Sequence, residues 1–307
     1  MRINRRPKAL RVASIVAVLA MVLAACGGGS GGDTTTTAGA DTGSDGGSTG
    51  LLKELQDSGT VTVGIANEIP YGYEDEATGE ITGEAPEVAK RVLSELGIDN
   101  MEAKVVEFGA LIAGLQAGNF DMIAAGMYIN ADRAEQIIFS DPDYCINESM
   151  LVAEGNPFGL TNYNSVADTD AKLAVASGTV NVDYAHWAGI PDDQIVEFAG
   201  IEDQYDALSA GRVDAVSGTV LTVTQHADVM NGFEALPSFP ALDQDGNPIL
   251  GCGGFGFMDQ GFRDAFNNVL NDLQDQGVVQ DIVAEHLGSR EVAEDAVDMT
   301  VSDLTGG

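Results

Sequence analysis

Two twelve-residue stretches constrain this chain more than any other feature. LQAGNFDMIAAG (115–126) and LSAGRVDAVSGT (208–219) carry Leu, Ala, Gly and Asp in the same register. Each reads as a helix end, a glycine stop, a tight turn and a buried strand. A second pair, TVGIANE (62–68) and LAVASGT (173–179), matches in the same order, each a strand running into polar residues. One such match could arise by chance where Ala and Gly are common. Two in one order predict two lobes built on one plan.

The sequence between the repeats alternates β-rich runs with helical ones. VTVGIA (61–66) reads as a strand, and EVAKRVLSELG (87–97) as a helix with Val88, Val92 and Leu96 on one face and Gly97 as its stop. VVEF (105–108), the helical ALIAGLQAG (110–118) and the strand DMIAAG (121–126) follow. That alternation predicts an α/β fold with largely parallel pairing, in a core from 51 to about 288 that is long enough for two lobes. Ligands of open α/β sheets sit beyond the carboxyl ends of the strands. The rule selects Asn67 and Glu68, Gly126 to Tyr128, Ser177 to Thr179, and Ser217 to Thr219, two ends per lobe, as a cleft between facing lobes requires.

The amino-terminal region reads differently. Arg2, Arg5, Arg6, Lys8 and Arg11 precede an apolar run from 12 to 25, which ends at LAAC. This is the pattern of a lipoprotein signal peptide over 1–25, with Cys26 lipidated as the new amino terminus. Proline after the arginine pair argues against a twin-arginine leader. Residues 27–50 hold no large apolar side chain, so 26–50 reads as a lipidated cysteine and flexible tether holding the protein just outside a membrane. Removing the leader leaves 14 less 5, or 9, basic residues against 48 acidic ones, a formal charge of −39. Such a surface repels nucleic acid and suits an exported, soluble protein.

Against that background a basic residue in a cleft is informative. Arg133 lies five residues past a strand end, in a helix suggested by NADRAEQI with Asn130 as cap. A guanidinium offers a planar fork that matches a carboxylate, although spacing alone equally allows a pair with Glu135 or another surface acid. Ser177, Gly178 and Thr179 precede VNVDYAHWAG, where a helix amino terminus would present N–H groups to the same anion. Tyr71, Tyr73, Phe108 and Tyr128 gather near the strand ends of the first lobe, and rings so placed can box a cation or simply form core, Tyr73 resembling core most. Glu68 would need a cation to offset its burial after a strand. Guanidinium, carboxylate and rings together describe a pocket for a small zwitterion.

Other chemistry finds little support. His186, His226 and His286 are scattered, no His/Cys group has metal-ligand spacing, and no nucleophile elbow or zinc-protease motif occurs, so neither metal, cofactor nor catalytic residue is assigned. GCGGFGF (251–257) is not read as a dinucleotide fingerprint, on the expectation that no helix follows it closely.

At these residues the chain resembles the polar amino-acid solute-binding proteins of ABC importers. The marks are VGIANEIPYGYE, ITGEAPEVAKRVLSELG, FGALIAGLQAGNFDMIAAGM, the run from Arg133 to Pro142, LAVASGT, GRVDAV and FRDAFNNVLNDLQDQG. The resemblance implies a two-lobed periplasmic-binding-protein fold of type II with the ligand in the interlobe cleft. It places lobe 1 at 51–143 plus 254–290, lobe 2 at 149–250, hinge strands at 144–148 and 251–253, and an acidic tail, expected to fray, at 291–307. It also implies a monomer that docks onto permease subunits, with Arg133 on the ligand carboxylate, Phe108 stacking and the Ser177–Gly178–Thr179 turn completing the anion site. Three departures stand out: Glu68 where an aromatic is usual, Tyr128 where Thr or Ser is usual, and Thr219 where an acid usually holds the α-amino group. With IANE-x-P, EAPEVA and GNPFGL, the pattern is most similar to ectoine/hydroxyectoine-binding proteins. That likeness puts Glu68 on a ring nitrogen, Tyr71, Phe108 and Tyr128 around the cation, and Thr219 beside them. It also implies a disulfide between Cys145 and Cys252. Polar amino-acid binding, or a dehydratase-like enzyme on the same scaffold, are the alternatives.

Overall fold

A computed structural model describes residues 50–306; the proposed leader, Cys26 and all but the last residue of the proposed tether lie outside them. Two sheets dominate. In the first, strand Thr60–Ile65 lies between the parallel strands Asn100–Val105 and Met122–Tyr128, and Gly251–Phe257 joins antiparallel to Met122–Tyr128. In the second, Leu173–Ala176 lies between the parallel strands Ile195–Phe198 and Ala215–Thr219, and Glu148–Ala153 joins antiparallel to Ala215–Thr219. The two sheets share one plan: three parallel strands, the second of them outermost, then an antiparallel strand. The α/β, two-lobed expectation holds.

The repeated aspartate explains why the sequence match recurs. Thr62 N–H donates to Asp121 Oδ2 at 2.8 Å, and Lys172 N–H donates to Asp214 Oδ2 at 2.8 Å. In return, Asp121 N–H donates to Thr62 O and Asp214 N–H to Lys172 O. Each aspartate thus ties the start of its own strand to the neighbouring parallel strand. Gly118 and Gly211, at φ 68° and 65°, end the preceding helices in the left-handed region that glycine tolerates.

Buried strands show why the runs are continuously apolar. Met122, Ala124 and Tyr128 face one core and Ile123, Ala125 and Met127 the other, as a strand covered on both sides requires. Helix Glu84–Glu95 packs on the first core with Val88, Val92 and Leu93, and Gly97, at φ 78°, follows its end. Among the described residues no helix is long and apolar enough to cross a membrane.

Three sequence expectations need correcting. The second strand is Asn100–Val105, earlier than VVEF, because Phe108 starts a 3-10 turn that places its ring at the cleft. Helix Gln260–Asp275 follows Gly251–Phe257 closely, so the absence of a helix was the wrong ground for dismissing GCGGFGF as a nucleotide motif. Its glycines lie inside a buried strand and make room for rings: a Cβ on Gly251 would fall 2.0 Å from Tyr128, and one on Gly253 2.2 Å from Tyr144. The tail packs instead of fraying. Ala293 and Ala296 are buried, Met299 lies against the Cys145 and Cys252 sulfurs, and Val301 N–H donates to Asp141 Oδ1 at 3.2 Å. Its acids hide small apolar residues at helical spacing.

Cys145 and Cys252 are bonded, with Cα atoms 4.0 Å apart, and are directly opposed in paired strands where the chain passes between the sheets. The bridge spans a separation of 107 residues. Loop-closure theory gives about 4 to 5 kcal/mol for a loop of that size. Replacing both cysteines by serine is expected to lower Tm by roughly 10 °C; an unchanged melting curve would show that the bridge contributes nothing.

Candidate functional site

The strand ends meet across a cleft, and the cleft encloses a cavity. Glu68, Tyr71, Phe108, Tyr128 and Arg133 line it from the first sheet's side, and Thr179, Asn181, Gln204, Tyr205, Ser217, Thr219 and Thr222 from the second's. Glu148, at the start of the antiparallel strand of the second sheet, completes the lining.

Arg133 sits where its local sequence puts it. Asn130 caps the short helix Ala131–Ala134 by accepting from Arg133 N–H at 2.9 Å, which turns the arginine inward. Its side chain is buried; Nη1 donates to Tyr128 O at 2.7 Å, and Nη2 crosses the cleft to Gly178 O at 2.9 Å. The guanidinium stands 5.4 Å from the centre of the Phe108 ring. Burial pulls its pKa down to about 10, so it remains a cation at neutral pH. Among the described residues no carboxylate lies within 4.0 Å of it. The pair with Glu135 that spacing allowed is not formed. A buried guanidinium held by two carbonyls is unpaired in charge and fit to grip a carboxylate.

The opposite charge comes from two acids. Glu68 follows strand Thr60–Ile65; part of the residue reaches the surface, but its carboxylate turns inward and accepts from Thr222 Oγ1 at 3.0 Å. Burial pushes its pKa up to about 7, with the Thr222 hydrogen bond opposing and the nearby Glu148 charge adding to the rise. Glu148 is buried, and Asn181 Nδ2 donates to its Oε2 at 2.6 Å and also contacts the Tyr163 hydroxyl at 2.8 Å. Burial raises Glu148 to about 7 as well, against the lowering by Asn181 and the Tyr128 and Tyr163 hydroxyls.

Aromatic rings wall the cavity between these charges. The Tyr71 ring stacks on Tyr144 at 5.2 Å, Tyr144 also packs against Tyr128 at 6.3 Å, and Tyr144 OH donates to Gly126 O. Tyr71 OH donates across the cleft to Thr219 Oγ1 at 2.8 Å. Thr219 caps the helix Val220–Val229. The lobes are therefore in contact, latched by Arg133–Gly178, Tyr71–Thr219 and Glu68–Thr222.

Of the nine residues singled out from sequence, Glu68, Tyr71, Phe108, Tyr128, Arg133, Thr179 and Thr219 line the cavity. Ser177 does not: its hydroxyl donates to Glu197 on the neighbouring strand at 3.0 Å, because the turn carries it to the outer side. Gly178 reaches the site only through its carbonyl, as the acceptor for Arg133. Tyr73 is half-buried in the hairpin Tyr73–Glu74 with Ile81–Thr82, outside the cavity and the core alike. Sequence reasoning missed Glu148, Asn181, Gln204, Tyr205 and Thr222. Glu148 opens the buried strand ESMLVA, and a carboxylate two residues before the apolar run MLVA was the available signal.

Residues 61–289 match the profile of the bacterial extracellular solute-binding proteins, family 3. The chain belongs to this family. It is 35% identical over 268 residues to a probable amino-acid ABC transporter periplasmic-binding protein, y4tE of Sinorhizobium fredii, covering 86% of this chain and 82% of that protein. It is 27% identical over 257 residues to the glutamate-binding protein GluB of Corynebacterium efficiens, covering 80% and 84%. Among solved structures, EhuB in complex with hydroxyectoine superposes with a TM-score of 0.74 at 31% identity, covering 83% of this chain and 97% of that one. The protein is thus an extracytoplasmic solute-binding protein of the kind that serves ABC importers, and its relatives are binding proteins.

The two raised carboxyls of the cavity are expected to make this binding protein sensitive to pH. An acid whose pKa is higher folded than unfolded contributes stability that is complete below the unfolded value and lost as pH rises through the folded one. The ligand-free protein is expected to lose Tm between about pH 5 and pH 8, as Glu68 and Glu148 ionise near 7. A cationic ligand favours the ionised forms, so the rise in Tm on adding one should grow over the same interval. Thermal melts at several pH values check both signs; a ligand shift that shrinks as pH rises contradicts the assignment.

Proposed function

We propose that this binding protein captures a small zwitterionic compatible solute with a cyclic amidinium, ectoine or hydroxyectoine, and delivers it unchanged to a permease. The observation that carries the proposal is the buried Arg133 guanidinium, which among the described residues forms no ion pair with a carboxylate and lines a cavity that acids and rings also line. In this reading the solute carboxylate takes the Arg133 fork, and its cation lies between Tyr71, Phe108 and Tyr128 with Glu68 on a ring nitrogen. Ring faces contribute about 0.5 to 2 kcal/mol each to a desolvated cation. Thr219, standing where an acid would hold an α-amino group, argues against an ordinary amino acid, and the hydroxyectoine complex of EhuB lends the same support.

A solute that touches both lobes favours the closed population, which is how binding becomes a signal to the permease. Lipidation of Cys26 would keep the monomer beside that permease. Polar amino-acid binding is the second reading, favoured by the names of y4tE and GluB. Calorimetry with ectoine, hydroxyectoine, L-glutamine, L-glutamate and L-arginine separates them. The proposal expects ectoine or hydroxyectoine to bind at micromolar Kd or tighter, about −8 kcal/mol, and is refuted if only an amino acid binds.

A further inference from the structure

The cavity's second-sheet side carries more polar capacity than the protein itself uses. Glu148 Oε1, Gln204 Oε1, Tyr205 OH and Ser217 Oγ are all buried without a hydrogen bond, and all four residues line the cavity. A buried polar atom left unmade is costly, so several facing one space point to a ligand that supplies the missing partners. All four atoms are acceptors or hydroxyls; Gln204 and Tyr205 stand on helix Ile201–Ser209, Glu148 and Ser217 on adjacent strands of the second sheet, and none is bonded to Arg133.

Glu148 is the charged member of this set. In the sheet it pairs directly with Thr219, so its carboxylate belongs to the strand position next to that threonine. Asn181 fixes Oε2, which leaves Oε1 free to turn to the cavity. Titratable groups face it from every side: the Glu68 carboxyl from the loop after Thr60–Ile65, and the neutral hydroxyls of Tyr128 from strand Met122–Tyr128 and of Tyr163, Tyr184 and Tyr205 from three helices. Among these neighbours no cation offsets it, and the site's own cation, Arg133, is held by Tyr128 O and Gly178 O.

We infer that Glu148, positioned by Asn181, is a second specificity-determining acceptor, so that a carboxylate from each side of the cleft takes an N–H of the solute's cation. The chemistry requires two acceptors: the N–H bonds of an amidinium closed into a six-membered ring diverge on either side of the shared carbon, and one carboxylate cannot take both. The site therefore selects cations that carry N–H donors over quaternary ammonium zwitterions, which fill a ring box equally well but donate nothing. This inference rests on the zwitterion reading above, yet it concerns the donor and not the name of the solute.

The test is calorimetry on the full mature protein and its Glu148→Gln variant, with ectoine, glycine betaine, L-glutamine and L-arginine as probes. Wild type is expected to bind ectoine and to reject glycine betaine. The variant is expected to bind ectoine about 10- to 100-fold more weakly, with less discrimination against glycine betaine, a flatter affinity profile between pH 6 and 8, and no loss of ligand-free Tm. Equal ectoine affinity in variant and wild type overturns the inference and leaves the ectoine reading standing. If wild type binds only an amino acid, the ectoine reading fails, and the variant's affinity for that amino acid decides the inference in the same way. Should the variant not fold, wild type alone suffices, because glycine betaine binding as tightly as ectoine overturns it. Binding of none of the four probes overturns both.

Discussion

Replacing Arg133 with alanine is expected to weaken solute binding by about 100- to 1,000-fold while the protein stays folded. The loss is large because the ligand carboxylate would remain desolvated in the closed cleft with no counter-charge, and truncating one partner of a buried, hydrogen-bonded charge pair costs about 2 to 5 kcal/mol. A second effect adds to the first. Arg133 Nη2 bonds Gly178 O in the other lobe, so the variant also loses one of three latches across the cleft. Folding is spared, since the change removes a buried charge that has no carboxylate partner. Calorimetry and a melting curve check the two halves, and a variant that binds within threefold of wild type would remove Arg133 from the site.

Gly178→Ala is expected to impair closure. Gly178 lies at φ 79°, and a Cβ there would fall 2.5 Å from Gly109 Cα, which belongs to the opposite lobe. Backbone cannot yield as a side-chain tip does, so the lobes must stay apart by the difference. The expected result is about 10- to 100-fold weaker binding, with the hydrogen bonds across the cleft lengthened or lost. Left-handed strain alone would mimic a stability effect of about 1 kcal/mol. Gly211→Ala separates the two causes: Gly211 has φ 65° and nothing within 4 Å of its would-be Cβ. That control should lower Tm and leave affinity unchanged. Equal affinity loss in both variants would mean that the cleft contact is irrelevant.

Much of this was written in local pattern. The shared Leu, Ala, Gly and Asp of the repeats read correctly as helix, stop, turn and strand because each performs a local task, down to the Asp121 and Asp214 ties. Arg133 was legible because a cation is conspicuous in so acidic a chain, and Asn130 announced its helix. What failed depends on long-range packing. Ser177 sits at a strand end like Thr179, and only the path of the turn decides that its hydroxyl goes to Glu197. Glu148 becomes a cavity residue because the chain crosses between lobes just before it, and Gln204 and Tyr205 because helix Ile201–Ser209 begins at the cleft. The tail's contact with the bridged cysteines pairs residues such as Cys145 and Met299, 154 positions apart, which no local pattern encodes.

The arrangement also accounts for why two acids near pH 7 are tolerated. Ionising either acid where it is buried is costly, and in the proposed reading the solute's cation would supply the partner that offsets that cost.

A crystal structure of the protein grown with ectoine tests the central claim most directly. The account predicts the solute carboxylate about 2.8 Å from the Arg133 guanidinium nitrogens, with the amidinium between Glu68 and Glu148 against the Tyr71, Phe108 and Tyr128 rings. A bound solute whose carboxylate lies away from Arg133, or a guanidinium turned out to bulk water, would contradict it.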